Sequence, residues 1–325
     1  MGEEMSSENY ERILSEEQIC QINERYSDLK DDEIIERLAY FELINNEKIL
    51  KVTNSVPSRE LLSISNQIGE IRKDFQKIQV MFKLFVSDIS EFKSLKTNLE
   101  KNKVAIEENI VNRSMLHLLS SGKLFVDFNE NQIKNKYSGN SKEFKQIHQF
   151  ASDQYDTNFS YRFCYYLRNF SQHVGLPITE IHLKEMDVNS DKQTVNLYID
   201  LDYLLNSSFN WKKMRKELEE KRSENSKIDA SDLVEKLFHS MIELYGHYNQ
   251  FFLELNHQKL TILKEKLTNL GLKSAKYYIL RISKYDLKCK PGNYTMSPLE
   301  AFTEIDEIHM QLSKIGLVNI INKSN

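Results

Sequence analysis

Four side chains that can move protons or hold an anion stand within six positions of one segment: Arg168, Asn169, Gln172 and His173. Imidazole titrates near neutral pH, so it can take or give a proton at a reacting oxygen. Guanidinium offers a planar fork of donors that holds a phosphate or carboxylate by two bonds and stabilises charge building up on it. An amide beside it can position an oxygen or the imidazole. On a helix, Asn169 and His173 are four apart and share a face, as do Arg168 and Gln172. Arg168 and His173 are five apart, about 140° around an ideal helix. They meet over one substrate only if the helix end distorts or a second subunit brings its own copy. A structural reading stands beside this chemistry, because arginine and histidine near a helix C-terminus also complement the helix dipole.

The other groupings each have a bland reading. His239, Glu243 and His247 follow at four-residue steps, a spacing that can hold a metal ion. No cluster of cysteine, histidine or paired acids supplies the remaining ligands, so a solvated polar stripe and no metal are expected. Tyr245, Tyr248 and Asn249 beside them are an alternative lining for an RNA groove. Trp211-Lys212-Lys213-Met214-Arg215-Lys216 is the most basic run containing an aromatic. Lys212, Lys213 and Arg215 are its candidates for a phosphate backbone, although Glu217, Glu219 and Glu220 follow at once, as on an ordinary charged helix. Lys284, Lys288 and Lys290 are similarly ambiguous. Cys164 lies four residues before Arg168 among apolar neighbours, which suggests a buried thiol. The chain has no Gly-rich phosphate loop, no Gly-x-Ser-x-Gly elbow and no His-Glu-x-x-His.

The elements that must position the motif read as mainly α. With only 4 prolines and 9 glycines, long helices are expected. Residues 8 to 53 read as two or three helices, one of them over Glu33 to Lys51, where Ile34, Ile35, Leu38, Phe41 and Leu43 recur at helical spacing. Val56-Pro57-Ser58 marks a boundary, with Ser58 capping a long helix from Leu61 to about Glu108. A short apolar helix around Met115 to Leu119 then meets a Ser120-Ser121-Gly122 break and a polar loop. Ser141 to about Val174 reads as the motif helix, with Phe159, Phe163, Tyr166, Phe170 and Val174 facing a core. Gly175-Leu176-Pro177 ends it, since glycine suits the position past a helix end and proline forbids continuation. Alternating runs Ile178 to Met186 and Thr194 to Asp202 predict a β-hairpin around Asp187 to Asp191. A helix over 208 to 225, a long helix from Asp229 or Ser231 to about Leu267, a strand over Lys276 to Ser283 and a helix over Pro298 to Lys314 follow, with Ser297 as a cap. The organisation expected is an N-terminal helical region (1–57), a helical core (58–270) with its motif helix at about 141–174 and hairpin at about 178–202, and a C-terminal strand-helix extension (271–325).

The segment Phe163-Cys-Tyr-Tyr-Leu-Arg168-Asn169-Phe-Ser-Gln-His173-Val-Gly-Leu-Pro resembles the HEPN superfamily, the higher eukaryote and prokaryote nucleotide-binding domains. That family carries an arginine, four to six residues and a histidine, usually with a polar residue straight after the arginine. Arg168, Asn169 and His173 fit with four residues between. The strict resemblance covers about 20 residues, and a looser match in helix layout extends from about 58 to 268. It implies a HEPN-like helical bundle with a small β-hairpin insertion and extra N- and C-terminal elements. It also implies a metal-independent endoribonuclease acting as a homodimer, without cofactor, in a bacterial toxin or antiphage (abortive infection) setting. Arg168, His173 and Asn169 would be catalytic, Gln172 would help bind RNA, and the product would be a 2′,3′-cyclic phosphate. Such an enzyme would need an inhibitor, antitoxin or trigger. Some family toxins carry a tyrosine two residues after the histidine. Here that position is Gly175, so control by modification there is not implied. Two other readings remain open: a non-catalytic nucleotide- or RNA-binding module, and a helical interaction or scaffold protein with the motif as a cap.

Composition is compatible with these readings. Hydrophobic residues are 40% and charged residues 28%, ordinary for a globular protein. The net charge of −4 means that any RNA contact must use a local patch. Cys20, Cys164 and Cys289 are odd in count and far apart, which suggests neither disulfides nor a zinc knuckle and fits a reducing, cytoplasmic compartment. The acidic N-terminus lacks the apolar core of a signal peptide, and no run of 18 apolar residues predicts a membrane span. Met-Gly-x-x-x-Ser at the start matches a myristoylation pattern by its short signature alone.

Overall fold

The computed structural model describes residues 30, 33–44, 47–53, 55–102, 107–185, 193–269, 277–289, 294–298, 310 and 313–314. The protein is mainly helical with small antiparallel sheets. It divides into two compact units, one of residues 1–74 and 255–311, the other of 75–254 and 312–325. Two long helices, α1 (Arg59–Asn102) and α7 (Ala230–Asn269), contribute residues to both.

The first unit holds an antiparallel sheet. Strands β1 (Ile34–Ile44), β2 (Glu47–Val52), β6 (Tyr277–Ser283) and β7 (Thr295–Pro298) run in the order β2-β1-β6-β7. A short helix, α8 (Lys284–Cys289), follows β6. Ala39, Leu50 and Leu280 make a small core, with Phe41, Val52, Tyr294 and Met296 packed against it. Arg281 Nε bonds Glu36 Oε1 across the central pair at 2.6 Å. The helix expected over Glu33 to Lys51 is therefore a pair of strands. Ile34, Ile35, Leu38 and Phe41 fit a helical stripe, but Ile35, Arg37 and Ala39 also alternate. Pairing with β6, in the register Ile35 to Ile282 and Leu38 to Ile279, satisfies the backbone as strand. The β6 expectation holds. The expectation that Ser297 caps a helix with Pro298 in its first turn fails, because Pro298 ends β7 opposite Tyr278. Residues 310, 313 and 314 are helical, and the rest of the helix expected over 298–314 lies outside the described residues, as do the helices expected before residue 30.

The second unit is a helical bundle. α1, whose first turns belong to the first unit, is capped as expected, with Leu61 N donating to Ser58 Oγ at 3.1 Å. Helix α2 (Glu108–Tyr137) runs straight through the break expected at Ser120-Ser121-Gly122. A Cβ on Gly122 would sit 3.3 Å from the Phe85 ring, so this glycine permits a close helix approach rather than ending a helix. Around it Phe82, Phe125, Tyr245 and Tyr248 form an aromatic core. Phe82 stacks on Tyr245 at 4.1 Å, and Phe125 packs on Tyr248 at 5.5 Å. Tyr248 and Asn249 are fully buried, which removes Tyr245, Tyr248 and Asn249 as an RNA groove.

The single helix expected over 141 to 174 is two, α3 (Lys142–Thr157) and α4 (Phe159–His173). Ser141 caps α3, accepting from Phe144 N, as expected. Asn158 breaks the run and caps α4, accepting from Tyr161 N at 3.1 Å. Arg162 then ties the junction. It donates to the Tyr155 and Asp156 carbonyls and, through Nε and Nη2, to both oxygens of Glu217. The expected hairpin is present as β3 (Glu180–Glu185) and β4 (Gln193–Asp200), with Val195, Leu197 and Ile199 turned inward. Its expected turn lies outside the described residues. A third strand, β5 (Lys227–Asp229), joins β4. Helix α5 (Leu201–Asn206) starts on an Asp200 cap. The helix expected from 208 begins only at Met214, as α6 (Met214–Glu224). Asp229 caps α7 as expected, accepting from Ser231 N and Asp232 N.

Candidate functional site

The motif occupies the last six residues of α4, and packing explains its placement. Ser160, Phe163, Cys164, Leu167 and Phe170 are buried and make the core stripe. Phe159 and Tyr166 are half-buried, and Val174, expected in the core, is exposed. Phe170 is the anchor. It stacks on Trp211 at 5.6 Å and meets Phe209 and Tyr203 edge-on at 5.7 and 5.9 Å. Trp211, 1% exposed, donates its indole N–H to the Leu204 carbonyl at 2.9 Å. It is therefore a core residue and not a surface for stacking bases.

The helix end is closed by backbone and neighbours. Val174 N and Gly175 N both reach the Phe170 carbonyl, at 2.8 and 3.5 Å, and Ser171 Oγ takes the Leu167 carbonyl. Gly175 is not in the left-handed conformation expected of a helix-ending glycine. Its role is space, because a Cβ there would collide with the Tyr203 hydroxyl. Three residues on, Asn112 of α2 grips the backbone of Ile178 from both sides. Its Nδ2 donates to the Ile178 carbonyl at 2.9 Å and its Oδ1 accepts from Ile178 N at 2.8 Å. Asn112 is buried, so the strap leaving the motif is fixed to the bundle.

On this frame Arg168 and Asn169 are half-buried, while Gln172 and His173 are exposed. Arg168 Nη1 donates to Asn169 Oδ1 at 3.2 Å, and Arg168 Nε is buried without a partner among the described residues. Arg168 and His173 both lie within regular α4, so they stay on different faces, about 140° apart as five helical steps require. One chain brings Arg168 to Asn169, which shares a face of α4 with His173, but leaves Arg168 and His173 on different faces. Neither Arg168 nor His173 bonds a helix carbonyl among the described residues, so the capping role open to them in sequence is filled by backbone and Ser171.

The weaker candidates are dispersed. Lys212 and Lys213 are exposed on the loop that Trp211 pins against α4, with Lys212 at a positive φ of 49°. Arg215 is paired with Glu219 at 3.0 Å on α6. His239, Glu243 and His247 do not converge. Glu243 accepts from Gln154 and His239 faces Glu235 at 3.8 Å. His247 stacks on Phe150 at 3.4 Å with its Nε2 buried, and burial holds its pKa below the ordinary value. Lys284 is buried, the Lys288 side chain and Lys290 lie outside the described residues, and burial pushes the Cys164 thiol up, as expected of an inert cysteine. A polar cleft of about 300 Å³ lies at the opposite end of α4, lined by Phe159, Ser160, Lys221, Lys227, Asp229 and Lys236 among others, and by none of the motif residues.

Sequence reasoning missed Asn112 and Tyr203. The residues they act on, Ile178 and Gly175, were visible as the exit from the helix, but their partners stand 66 and 28 positions away and carried no local signal. No helix among the described residues is long and apolar enough to cross a membrane. No protein-family model, curated protein or solved structure matches the chain.

Proposed function

We propose that the protein is a metal-independent endoribonuclease of the HEPN type, acting as a homodimer in the cytoplasm in toxin or antiphage defence. The observation that carries this reading is the state of the motif. A half-buried guanidinium, steadied by Asn169, keeps donors to spare, and an exposed imidazole stands one turn on, free of any ion pair among the described residues. Such a fork holds a phosphate and stabilises the charge of the transition state. Such an imidazole removes the 2′-OH proton or protonates the leaving 5′ oxygen. The step forms the bond from the 2′ oxygen to phosphorus and breaks the bond to the 5′ oxygen, leaving a 2′,3′-cyclic phosphate. Because the two side chains diverge on α4, the working site takes Arg168 from one subunit and His173 from the other. Lys212 and Lys213 extend phosphate contact, and an inhibitor or trigger restrains the enzyme in its host.

The test is induced expression in bacteria of wild type and His173→Ala at equal soluble level, with growth and total RNA followed together. The proposal expects arrest and fragmented RNA with wild type and neither with the variant. Arrest and fragmentation that persist in the variant would overturn it.

The second reading, nucleotide or RNA binding without cleavage, draws on the same divergence, since one chain alone offers a phosphate fork without an adjacent base. It predicts RNA bound by wild type, lost on Arg168→Ala, and recovered intact.

A further inference from the structure

Three metal-ligating side chains that the proposed nuclease chemistry does not use meet between α1 and α2. The two helices run antiparallel in the helical unit. The Phe82 and Phe125 rings lie 5.5 Å apart, and Phe85 packs over Gly122 in the same register. Continued toward the connection between the helices, this register brings residues 88–91 of α1 level with the turn of α2 that holds His117. Asp88 and Glu91 are three apart and share a face of α1. One ligand atom from each of Asp88, Glu91 and His117 lies within 4.8 Å of the others.

We propose that Asp88, Glu91 and His117 bind a divalent transition-metal ion, with Zn²⁺ the best fit. The donor set decides the class of ion. Imidazole favours Zn²⁺ and its neighbours over Mg²⁺ and Ca²⁺, which prefer all-oxygen shells. Three protein ligands leave a position for water in a four-coordinate shell. The two carboxylates sit one turn apart with no cation paired to them among the described residues. The lysines nearest along the two helices are engaged elsewhere, Lys93 with Glu235 at 2.6 Å and Lys123 with Asp127. Independently, Ser114, one turn before His117 on α2, is buried and its Oγ has no partner among the described residues. A buried hydroxyl in that state is commonly satisfied by an ordered water. The ion clamps the α1–α2 hairpin. It stabilises the folded chain by mass action and takes no part in proton transfer at His173.

The full-length chain, stripped with chelator and dialysed, is titrated with ZnCl₂ and separately with MgCl₂ by calorimetry, and its thermal unfolding is recorded with and without Zn²⁺. One equivalent of Zn²⁺ should bind, at least ~tenfold more tightly than Mg²⁺, and raise Tm. His117→Ala and Asp88→Asn should each weaken Zn²⁺ binding at least ~tenfold while melting like wild type without metal. His148→Ala, which removes an exposed histidine on α3, should bind Zn²⁺ as wild type does. The site is refuted if wild type takes up no Zn²⁺, if both ligand variants bind it as wild type does, or if only His148→Ala loses it. RNA cleavage in chelator is a separate readout, so failure of the nuclease reading would leave this result unchanged.

Discussion

Gly175→Ala tests how the motif's exit is built. The glycine's φ lies outside the left-handed range, so alanine adds no backbone strain. It gains about 0.4–1 kcal/mol by restricting the unfolded chain. Against that, the new Cβ displaces the Tyr203 hydroxyl. Tyr203 is 44% exposed, so little burial is lost as it swings out. What is lost is its edge-to-face contact with Phe170 at 5.9 Å, about 0.5–1.5 kcal/mol for such a pair. Gly175→Ala alone should therefore lie between about 0.5 kcal/mol stabilising and about 1 kcal/mol destabilising, on these two magnitudes. In a Tyr203→Ala background, where the obstruction and the contact are both gone, the same change should stabilise by about 0.4–1 kcal/mol. Urea unfolding of the wild type, both single variants and the double variant measures the difference between the two backgrounds as a coupling of about 0.5–1.5 kcal/mol. An equal cost of Gly175→Ala in both backgrounds would show that the glycine serves the backbone and not Tyr203.

Asn112→Ala leaves the buried Ile178 N–H and carbonyl without their partner and should cost about 2–4 kcal/mol by chemical denaturation; a loss under 1 kcal/mol would mean that water replaces the amide. Trp211→Ala removes the buried ring under Phe170 and should cost about 3–5 kcal/mol, with near-ultraviolet dichroism lost in step. His247 gives a pH dependence of known sign. Burial depresses its folded pKa below 6.5, so its contribution is full above pH 6.5 and is lost as pH falls below it, because the unfolded chain takes the proton first. His247→Phe should thus flatten the fall in Tm between about pH 6.5 and 5, and an undiminished fall would assign the dependence to other groups. His173→Ala, at an exposed position, should change stability by no more than about 0.5 kcal/mol.

What the sequence made legible was local. Ser58, Ser141 and Asp229 announce helix starts because a cap bonds within three residues. The β3–β4 hairpin shows because Val195, Leu197 and Ile199 alternate with polar neighbours over a short run. What stayed hidden depends on distant partners. β1 is strand because β6 pairs with it, Glu36 and Arg281 standing 245 positions apart. Gly122 looks like a break until Phe85 is packed over it. Asn158 ends one helix and caps the next inside a stretch whose aromatic spacing reads as continuous. At the candidate site, residue types and shared faces could be read from Arg168, Asn169, Gln172 and His173 alone. The fixing of their helix end by Asn112 and Tyr203 could not, since neither lies in the segment.

The central claim is a site shared between two copies of α4, and mixing experiments on purified protein address it most directly. Single-stranded RNA is incubated in EDTA with wild type, with His173→Ala, with Arg168→Ala, and with the two variants unfolded and refolded together. Cleavage by wild type, none by either variant alone, and partial recovery in the mixture are expected, with 2′,3′-cyclic phosphate ends throughout. Cleavage by wild type with no recovery in the mixture would contradict the shared site, and intact RNA in every tube, including wild type, would contradict the nuclease itself.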